Sequence, residues 1–600
     1  MTKFFVKAPS PVKVGALLVA FSLLAVTLSS CTRKKTDSGN EEIVINSAIA
    51  ANVKGLDPID ANDTYSSGVI SQIYETLLHY HYLKRPLTLQ PLLATEMPTA
   101  SADGLTHTIK IKPGVMFHDD ECFPNGKGRE LTAEDFVYSW KRLADPKNNA
   151  LGFWVFDKRI EGLNEWRTKV GKGEADYSTP VSGLQAPDKY TIVIKLTQPY
   201  YQLYYVLAMP YTSPVPKEAV EKYGKEIINH PVGTGPFKFD SWIRNSRIEL
   251  VRNPNWRNET YPTDGEASDT TNGFLADAGK KIPFVDRVVM HEIVQEQPRW
   301  LKFMKGELDF SSIPKDNFET AIQDDKLSKE FAAKGIELFV VMEPDVTYTA
   351  FNMLDPILGK NEKLRKAISM ATDVDSVIKK FFNGRAISAQ SPIPPGVDAY
   401  DAKYKNPYKE FNVEKAKQLL AEAGFPGGKG LPELEFSTVS STTSRQMAEF
   451  FKQNMAQIGV KVSIATSSWP QFQDKIHKKK AQIWGVAWLA DYPDAENFLQ
   501  LLYGPNTSPG PNGSNFDDSK FNKLYEKAAL LPPGPERTDL YHQMRDIVVS
   551  EAPWVMGMHR MGYSLRHQWV KNYKPHPIIS DGYKYFRVEG SEKAKMKAKL

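Results

Sequence analysis

Cysteine is nearly absent from this sequence, which contains only Cys31 and Cys122 among 600 residues. Two cysteines cannot form a framework of disulfides, and the chain has no cysteine cluster that could make a structural zinc site. The apolar run at 14–28 carries no charge, but it is too short for a comfortable transmembrane span. The sequence therefore predicts neither a disulfide-stapled scaffold nor a metal centre.

The sequence motifs that are typical of catalysis are also missing. No G-x-S-x-G nucleophile elbow occurs, and His291-Glu292 is not followed by a histidine three residues later, as a zinc-protease helix requires. The glycine-rich Pro231–Phe237 is no phosphate-binding loop, because no lysine and serine or threonine follow it. The adjacent carboxylates Asp119 and Asp120 have no specific spacing. We therefore expect no enzyme, no cofactor and no metal.

Charge and composition restrict the possible partners and the number of domains only loosely. A formal net charge of +5 is small for this length and does not favour nucleic acid, so we predict no nucleic-acid partner. Hydrophobic residues make up 41% and aromatic residues 11%, enough to fill sizeable cores in two or three domains. The aromatic content suits a large aromatic-lined cavity or simply an aromatic core, and composition does not separate the two.

The N-terminal segment resembles a bacterial lipoprotein signal. Lysines precede the apolar run at 14–28, and Leu28-Ser-Ser-Cys31 follows it like a lipobox. The resemblance implies a signal peptide at 1–30, a lipid on Cys31 and a flexible tether at 31–42. The protein would then be extracytoplasmic, in the periplasm or at the cell surface, and held to a membrane by its lipid. An ordinary cleaved signal with an incidental cysteine is the alternative.

Helices and strands alternate along the chain, which predicts mixed sheets flanked by helices in an α/β fold. Thr132 and Asp135 resemble a capping box that opens a helix. The segments 237–239 and 248–251 read as a β-hairpin. Helices are expected at 361–371, 413–424 and 444–458. The lysine-rich 591–600 is expected to be a disordered tail.

The stretch 483–504 joins a strand to a sharp turn. Its apolar run carries Trp484 and Trp488 and stops at Asp491-Tyr-Pro-Asp494. A stiff strand of this kind would place a carboxylate and an indole at the point where the strand ends and the chain turns. This arrangement suits the recognition of an amine beside an apolar group. A buried strand that ends in an ordinary turn is the alternative.

The run from 103 to 146, DGLTHTIKIKPGVMFHDD…LTAEDFVYSWKRLADP, resembles the signature of the family 5 extracellular solute-binding proteins of ABC importers. This group includes oligopeptide- and dipeptide-binding proteins. Pro231–Phe237 and Lys305–Asp309 match further family elements, and the resemblance spreads over most of 43–590. The loop Glu121–Glu130, which carries Cys122, is longer than the family's usual turn. We expect it to be an extended loop on the protein surface.

The resemblance implies a periplasmic-binding-protein-like fold of class II, with two lobes, three domains and hinge closure over a ligand. Domain I would comprise 43–75, 191–300 and 552–590, including a strand at 552–555 that returns to it. Domain II would comprise 76–190, and domain III 301–551. We expect a monomer that delivers short peptides to the permease subunits of an importer.

The resemblance also implies the ligand-binding residues. Asp491 follows Trp488 with the family's Trp-x-x-Asp spacing and would pair with the ligand's free α-ammonium; a helix N-cap is the alternative. Trp469 and Trp488 would line side-chain pockets or belong to the core. An aromatic at the cleft mouth would be Phe153 or Trp154. The remaining predicted contacts are Ala490 and the loop Asn62, Asp63 and Thr64.

The other end of the ligand is not accounted for. In the oligopeptide-binding pattern, a basic residue six positions before the aspartate can meet the peptide carboxylate, and that position here is Gly485. Other cargoes on the same fold are a nickel chelate, haem, a sugar or a murein peptide. A secreted hydrolase on a similar scaffold is the alternative from another class, although no nucleophile and base are evident.

Overall fold

The computed structural model describes residues 42–598 and residue 600. The expected signal peptide at 1–30, the lipidation site Cys31 and the tether up to residue 41 lie outside the described residues. Within the described part of the chain, no helix is both long and apolar enough to cross a membrane.

The strands in the described residues form several mixed and antiparallel sheets, as the alternating pattern predicts. They are β1 (Val44–Ile49), β2 (Leu78–Tyr80), β3 (Leu89–Pro91), β4 (Thr99–Ala100), β5 (Thr106–Lys110), β6 (Leu184–Asp188), β7 (Thr191–Lys195), β8 (Phe237–Ile243), β9 (Arg247–Arg252), β10 (Glu259–Thr260), β11 (Lys281–Ile282), β12 (Arg287–Glu292), β13 (Phe310–Ser312), β14 (Ile322–Gln323), β15 (Lys326–Leu327), β16 (Ile336–Met342), β17 (Asp345–Phe351), β18 (Ala386–Ser388), β19 (Leu434–Val439), β20 (Val462–Ser467), β21 (Ile483–Leu489), β22 (Trp554–Met556), β23 (Met558–His567), β24 (Val570–Lys571) and β25 (Arg587–Val588).

The helices in the same residues cover the faces of these sheets. They are α1 (Thr64–Ile73), α2 (Ala133–Ala144), α3 (Leu163–Lys172), α4 (Leu203–Val206), α5 (Lys217–Tyr223), α6 (Ala267–Thr271), α7 (Glu296–Met304), α8 (Phe318–Ala321), α9 (Lys329–Ala333), α10 (Glu362–Ala371), α11 (Val374–Phe382), α12 (Val413–Glu422), α13 (Thr442–Ala456), α14 (Trp469–His477), α15 (Glu496–Leu499), α16 (Ser519–Ala528), α17 (Pro535–Glu551) and α18 (Gly590–Lys597).

Local sequence signals set several of these elements. The Thr132 N–H donates to Asp135 Oδ2 over 2.8 Å, and the predicted capping box opens α2. Strands β8 and β9 pair antiparallel, which confirms the predicted hairpin. Helix α10 begins after Asn361, whose side chain accepts the N–H of Leu364. In each case the residues that make the structure are neighbours in sequence, so the pattern could be read directly.

Distant segments meet in the sheet of order β1-β12-β9-β8. β1 lies parallel to β12, with Val44 opposite Arg287, and β12 pairs antiparallel with β9. The first strand of the described chain is thereby placed beside a strand that begins more than 200 residues later. A lobe built from discontinuous segments follows from this pairing.

The described chain has two large cores, which we call the first and the second core. The first comprises apolar residues between 45 and 290 together with Tyr492 and residues between 569 and 588. The second comprises residues between 346 and 556 and packs on one face of a sheet of order β20-β19-β21-β17-β22, whose other face is covered by a third cluster. β21 is the middle strand of this sheet, between the parallel β19 and the antiparallel β17.

Two chain segments lead from the second core to a sheet made of β13, β23 and β16, with β18 on β23. β16 ends at Met342 and β17 begins at Asp345; β22 ends at Met556 and β23 begins at Met558. The predicted return strand at 552–555 is therefore placed wrongly, because Trp554 and Val555 pair with β17 beside β21. The return to the other sheet follows in β23. The three domain boundaries stay a prediction.

The C-terminal segment is helical, so the expected disordered tail is wrong for the described residues. α18 spans Gly590–Lys597, and the Lys593 ammonium lies 2.7 Å from the carboxylate of Asp309. Asp309 is completely buried and needs a cation to offset the loss of hydration. Lys593 of the tail supplies that charge. The composition of the tail could not predict this contact, because Asp309 is distant in the sequence.

Candidate ligand-binding cavity

A cavity of about 790 Å³, here called the main cavity, lies between elements of the two cores. The first core supplies the start of α1, and the second supplies α14 and the end of β21. β16 and β23 supply further walls. Among its lining residues are Asn62, Asp63, Thr64, Tyr65, Trp154, Tyr211, Glu343, Tyr348, Trp469, Trp488, Ala490, Asp491, Arg560 and Tyr573.

Asp491 lies just past the end of β21, where the strand is fixed by its neighbour. The N–H of Ala490 donates to the carbonyl of Pro344 over 2.9 Å, which continues the pairing of β21 with β17 to the last residue before the turn. Ala490 and Asp491 both line the main cavity. The strand therefore presents the carboxylate at a defined position.

The side chain of Asn497 orients both Asp491 and Trp488. Its Oδ1 accepts the indole N–H of Trp488 over 3.0 Å and the backbone N–H of Asp491 over 2.9 Å. Its Nδ2 donates to Asp491 Oδ2 over 3.0 Å. Asn497 is fully buried, and these bonds satisfy its amide. A residue that sequence reasoning did not select thus holds the indole and the carboxylate together.

Asp491 forms no ion pair with any of the described residues. Burial raises the pKa of its carboxyl to about 6, against the hydrogen bond from Asn497, and the charge of Glu496 adds to the rise. The cost of keeping this carboxylate ionised falls when a cation binds beside it. The alternative of a helix N-cap does not describe Asp491, since the N–H of Glu496 goes to Asp494 over 2.9 Å.

The two predicted tryptophans line the main cavity and are half-buried. Trp469 begins α14 and packs edge-on against Tyr65, with ring centroids 5.7 Å apart. Its Nε1 is buried and has no hydrogen-bond partner among the described residues. Both indoles also contact the second core. They are part of the core on one side and wall of the cavity on the other.

The loop Asn62–Thr64 lines the cavity, but its side chains have different environments. Asp63 caps α1, because its Oδ1 accepts the N–H groups of Tyr65 and Ser66 at 3.0 and 2.9 Å. Its carboxylate is therefore occupied. Asn62 Oδ1 is buried without a partner among the described residues, which is costly unless a ligand or water donates to it.

The aromatic residue at the cavity wall is Trp154, and Phe153 is not among the lining residues. The Phe153 ring is buried beneath the guanidinium of Arg167, 4.4 Å from the ring centroid. Both residues lie in a short 3-10 helix, Leu151–Val155, in which neighbouring side chains point in different directions. Of the two aromatics expected at the cleft mouth, Trp154 lines the cavity and Phe153 does not, so the expectation for Phe153 is replaced by one for Trp154.

A charged cluster that the sequence did not reveal faces the main cavity from the ends of β16 and β23. The Arg560 guanidinium contacts Asp345 and lies 3.3 Å from Glu343. Asp345 is fully buried. Burial raises the pKa of Glu343. No local motif signals this cluster, because Arg560 and Asp345 are 215 residues apart.

Gly485, which replaces a basic residue of the oligopeptide-binding pattern, is not among the residues that line the main cavity. A Cβ atom at this position would lie 3.5 Å from the ring of Phe436. In the described part of the chain, no group of three or more histidine, cysteine, aspartate or glutamate side chains is placed to hold a metal ion.

Comparison with known proteins identifies the family. Residues 88–510 match the sequence profile described as bacterial extracellular solute-binding proteins, family 5, middle region. The chain belongs to this family. The resemblance and the fold class drawn from the sequence are thereby confirmed, and family 5 proteins act as the substrate-binding components of ABC importers.

This family 5 member is similar to several characterised relatives over most of its length. It is 27% identical to the heme-binding protein A of Haemophilus influenzae over 86% of this chain and 87% of that protein. It is 27% identical to the glutathione-binding protein GsiB of Escherichia coli over 90% and 92%.

Solved structures show the same architecture. The periplasmic binding protein DppA of Helicobacter pylori, in complex with the peptide STSA, superposes with a TM-score of 0.75 at 26% identity and covers 91% of this chain and 98% of that one. The murein tripeptide binding protein MppA of Escherichia coli superposes with a TM-score of 0.75 at 21% identity and covers 91% of this chain and 99% of that one, in the same two-lobed fold.

Proposed function

We propose that this family 5 member captures short peptides in the main cavity and holds the peptide's α-ammonium group on Asp491. The observation that carries the proposal is a carboxylate that lines the cavity without an ion-pair partner among the described residues. An ammonium ion at this position would offset the burial of the carboxylate. The peptide complex of the related DppA supports the same class of ligand.

The rest of the cavity fits a peptide main chain. Asn62 offers an unused buried acceptor for a ligand N–H, and Trp469 and Trp488 offer apolar walls on which side chains can pack. Hydrogen bonds to the peptide backbone do not depend on the side chains, so a protein of this kind can accept many sequences. A heme-like cargo carries carboxylates but no ammonium group, and Asp491 counts against it.

Calorimetry with matched peptides tests the proposal. We expect Asp491→Asn to weaken binding by about 2–5 kcal/mol, as for the loss of one partner of a desolvated charge pair. N-acetylation of the peptide should cost the wild-type protein a similar amount and Asp491→Asn much less. Asp474→Asn is the matched control, because Asp474 is exposed and pairs with Lys478 on the surface. Equal affinity of the wild-type protein for free and acetylated peptides would contradict the ammonium pair.

Lipidation of Cys31 and anchoring to a membrane, in the periplasm or at the cell surface, are a further part of the proposal. The Leu28–Cys31 pattern supports them, together with a family described as extracellular. Mass spectrometry of the mature N-terminus should find a lipid on Cys31, and Cys31→Ser should release the protein from the membrane fraction. A mature chain that begins elsewhere would refute this part.

The chain is proposed to act as a monomer and to deliver its peptide intact to the permease subunits. Peptides incubated with the purified protein should therefore be recovered without cleavage, as judged by mass spectrometry. Recovered fragments would favour the hydrolase alternative instead. Native mass spectrometry of the protein purified without added ligand should show a monomer with a ladder of short peptides.

A further inference from the structure

Glu343 is a further acidic residue of the main cavity, on the connector between β16 and β17. This connector runs beside the segment that carries Asp491, because the N–H of Ala490 donates to the carbonyl of Pro344 over 2.9 Å. Pro344 directly follows Glu343, and Asp491 directly follows Ala490. Two acidic residues therefore enter the same cavity from chain segments that are hydrogen-bonded to each other.

The Glu343 carboxylate shares a single guanidinium with a second carboxylate. Asp345, which is fully buried, accepts both the backbone N–H of Arg560, over 2.8 Å, and its side-chain Nε–H. Arg560 Nη2 lies 3.3 Å from Glu343 Oε2, and no other cationic side chain among the described residues lies within ion-pair distance of Glu343. One positive charge thus faces two negative charges.

Three other acidic residues that line the cavity already have partners. They are Asp63, which caps α1, Glu75, which pairs with Arg257, and Asp581, which pairs with Lys584. The negative charge of the lining that is not balanced within the described residues therefore lies at Asp491 and at the Glu343 cluster.

The Glu343 side chain is open to the cavity, since 34% of it is exposed. Gly562 of β23 makes room for it, because a Cβ atom at that position would lie 2.8 Å from Glu343 Oε1. Burial raises the pKa of the Glu343 carboxyl, against the charge of Arg560, and the charge of Asp345 adds to the rise. A cation that enters the cavity would favour the ionised carboxylate.

The wall beside Glu343 suits the stem of a long side chain. Phe339, Val341 and Glu343 alternate along β16 and its continuation, and all three line the main cavity. Alternate residues of a strand share one face. The methylene groups of a lysine or arginine can pack on such an apolar strip while the charged end reaches a polar group at its end.

We propose that Glu343 binds the charged end of a basic side chain, so that the protein selects peptides that carry lysine or arginine. The inference rests on the proposed function and deepens it, because it assigns the ligand a second positive charge besides the α-ammonium group at Asp491. Ammonium and guanidinium groups supply several N–H donors to a carboxylate. Glu343 is then a residue that determines specificity.

Calorimetry with alanine peptides tests the inference. The alanine peptide of two to five residues that binds the wild-type protein most tightly serves as the parent. Each of its positions in turn is replaced by lysine or by Nε-acetyl-lysine, which keeps the stem and lacks the charge. At one position or more, we expect lysine to bind at least about tenfold more tightly than acetyl-lysine, as for a partly desolvated charge pair. In Glu343→Gln this ratio should fall to about one.

Arginine and citrulline make the same comparison for a guanidinium group, because citrulline is its uncharged isostere. Selection of the charged member in either pair, lost in Glu343→Gln, supports the assignment. The variant keeps Asp345 as the partner of Arg560, so it leaves no cation of the cluster unpaired.

Control variants separate recognition from folding. Glu337 also lies on β16 and pairs with an arginine of β23, Arg566, over 2.6 Å, but neither residue lines the main cavity. Glu337→Gln should keep the wild-type ratio of lysine to acetyl-lysine affinity. Glu343→Asp retains the charge and should keep part of the ratio. The ratio is measured within one protein, so a general loss of stability does not imitate the effect.

The outcomes also separate this inference from the proposed function. If the wild-type protein binds the charged and uncharged peptides equally at every position, the role of Glu343 is overturned while peptide binding stands. The same holds if Glu343→Gln keeps the full ratio. If no peptide binds, with or without a basic side chain, the proposed function fails and this inference fails with it.

Discussion

Gln202 donates a hydrogen bond from its Nε2 to Asp494 Oδ2 over 3.1 Å and thereby links a segment of the first core to the turn that carries Asp491. Both side chains are buried. Gln202 lies among residues of the first core, and Asp494 is followed by Ala495 of the second. Next to this bond, the rings of Tyr205 and Tyr492 stack with centroids 5.7 Å apart. The segment that carries Asp491 also carries contacts between the lobes.

Removal of this contact should weaken ligand binding without touching the ligand. We expect Gln202→Ala to reduce peptide affinity about 2–10-fold, the range of one net hydrogen bond, because the closed arrangement becomes less favourable. Small-angle X-ray scattering should then show a larger radius of gyration without ligand. Gln185→Ala is the control, since Gln185 is bonded to Ser182 in an exposed position. An unchanged affinity and radius would rule out a role in closure.

The affinity for peptides should depend on pH through Asp491. Its pKa of about 6 without ligand means that acid protonates the carboxylate that the ammonium group needs. Affinity should therefore fall about tenfold per pH unit below pH 6 and stay level from pH 6.5 to 7.5. Calorimetry across this range provides the measurement. In Asp491→Asn the fall should disappear, and a persistent fall would assign it to another group.

The same pKa has the opposite consequence for the free protein. A carboxyl group whose folded pKa lies above its unfolded value near 3.8 favours folding when protonated. This stability is present below about pH 4 and is lost as the pH rises through 6. We expect Asp491→Asn to raise the melting temperature of the ligand-free protein at pH 7.5 and to change it little at pH 4. A lower melting temperature at pH 7.5 would contradict the assigned environment.

Structural features that depend on residues close together in the sequence could be predicted, whereas contacts between distant segments could not. The capping box at Thr132 and the hairpin of β8 and β9 depend on neighbours in sequence, so their patterns predicted them. The position of Asp491 followed from the end of an apolar strand and from the family resemblance. Arg560 and Asp345 come from strands far apart in the chain, and only the paired sheets bring them together. Local patterns carry no information on such contacts.

Two site residues, Trp154 and Asn497, could not be identified from the sequence for the same reason. Phe153 and Trp154 are adjacent aromatics, and which of them faces the cavity depends on the short helix that carries them. Asn497 was not selected because a buried amide in an apolar stretch has no sequence signature. Its importance lies in three hydrogen bonds to Trp488 and Asp491.

The hydrogen bonds that Asn497 makes to Trp488 and Asp491 lead to a further prediction. Asn497→Ala removes the hydrogen bond to the Asp491 carboxylate, which favours the ionised form. The pH at which peptide affinity begins to fall should therefore move above 6, and affinity at pH 7 should fall about tenfold, as for a hydrogen bond to a charged group. Calorimetry at several pH values measures both. A loss of affinity with an unmoved pH profile would show that Asn497 acts on packing alone.

The C-terminal helix should stabilise the whole protein through one ion pair. Lys593 Nζ lies 2.7 Å from Asp309 Oδ1, and the indole N–H of Trp569 donates to the same oxygen over 2.7 Å. Asp309 Oδ2 accepts the N–H of Asn46 of β1 over 2.6 Å. The buried carboxylate thus ties the first described strand to the end of the chain.

Lys593→Ala leaves the Asp309 carboxylate buried without its cation, which costs about 3–5 kcal/mol when a buried pair loses one partner. Thermal unfolding should show a clear drop in melting temperature for this variant and for a chain truncated after Glu589. Lys595→Ala is the matched control, because Lys595 lies on the same helix outside the contact with Asp309. Asp309→Asn combined with Lys593→Ala should recover part of the loss, since no charge is then left unpaired. A double variant no more stable than Lys593→Ala would show that the helix stabilises the protein by packing and not by this pair.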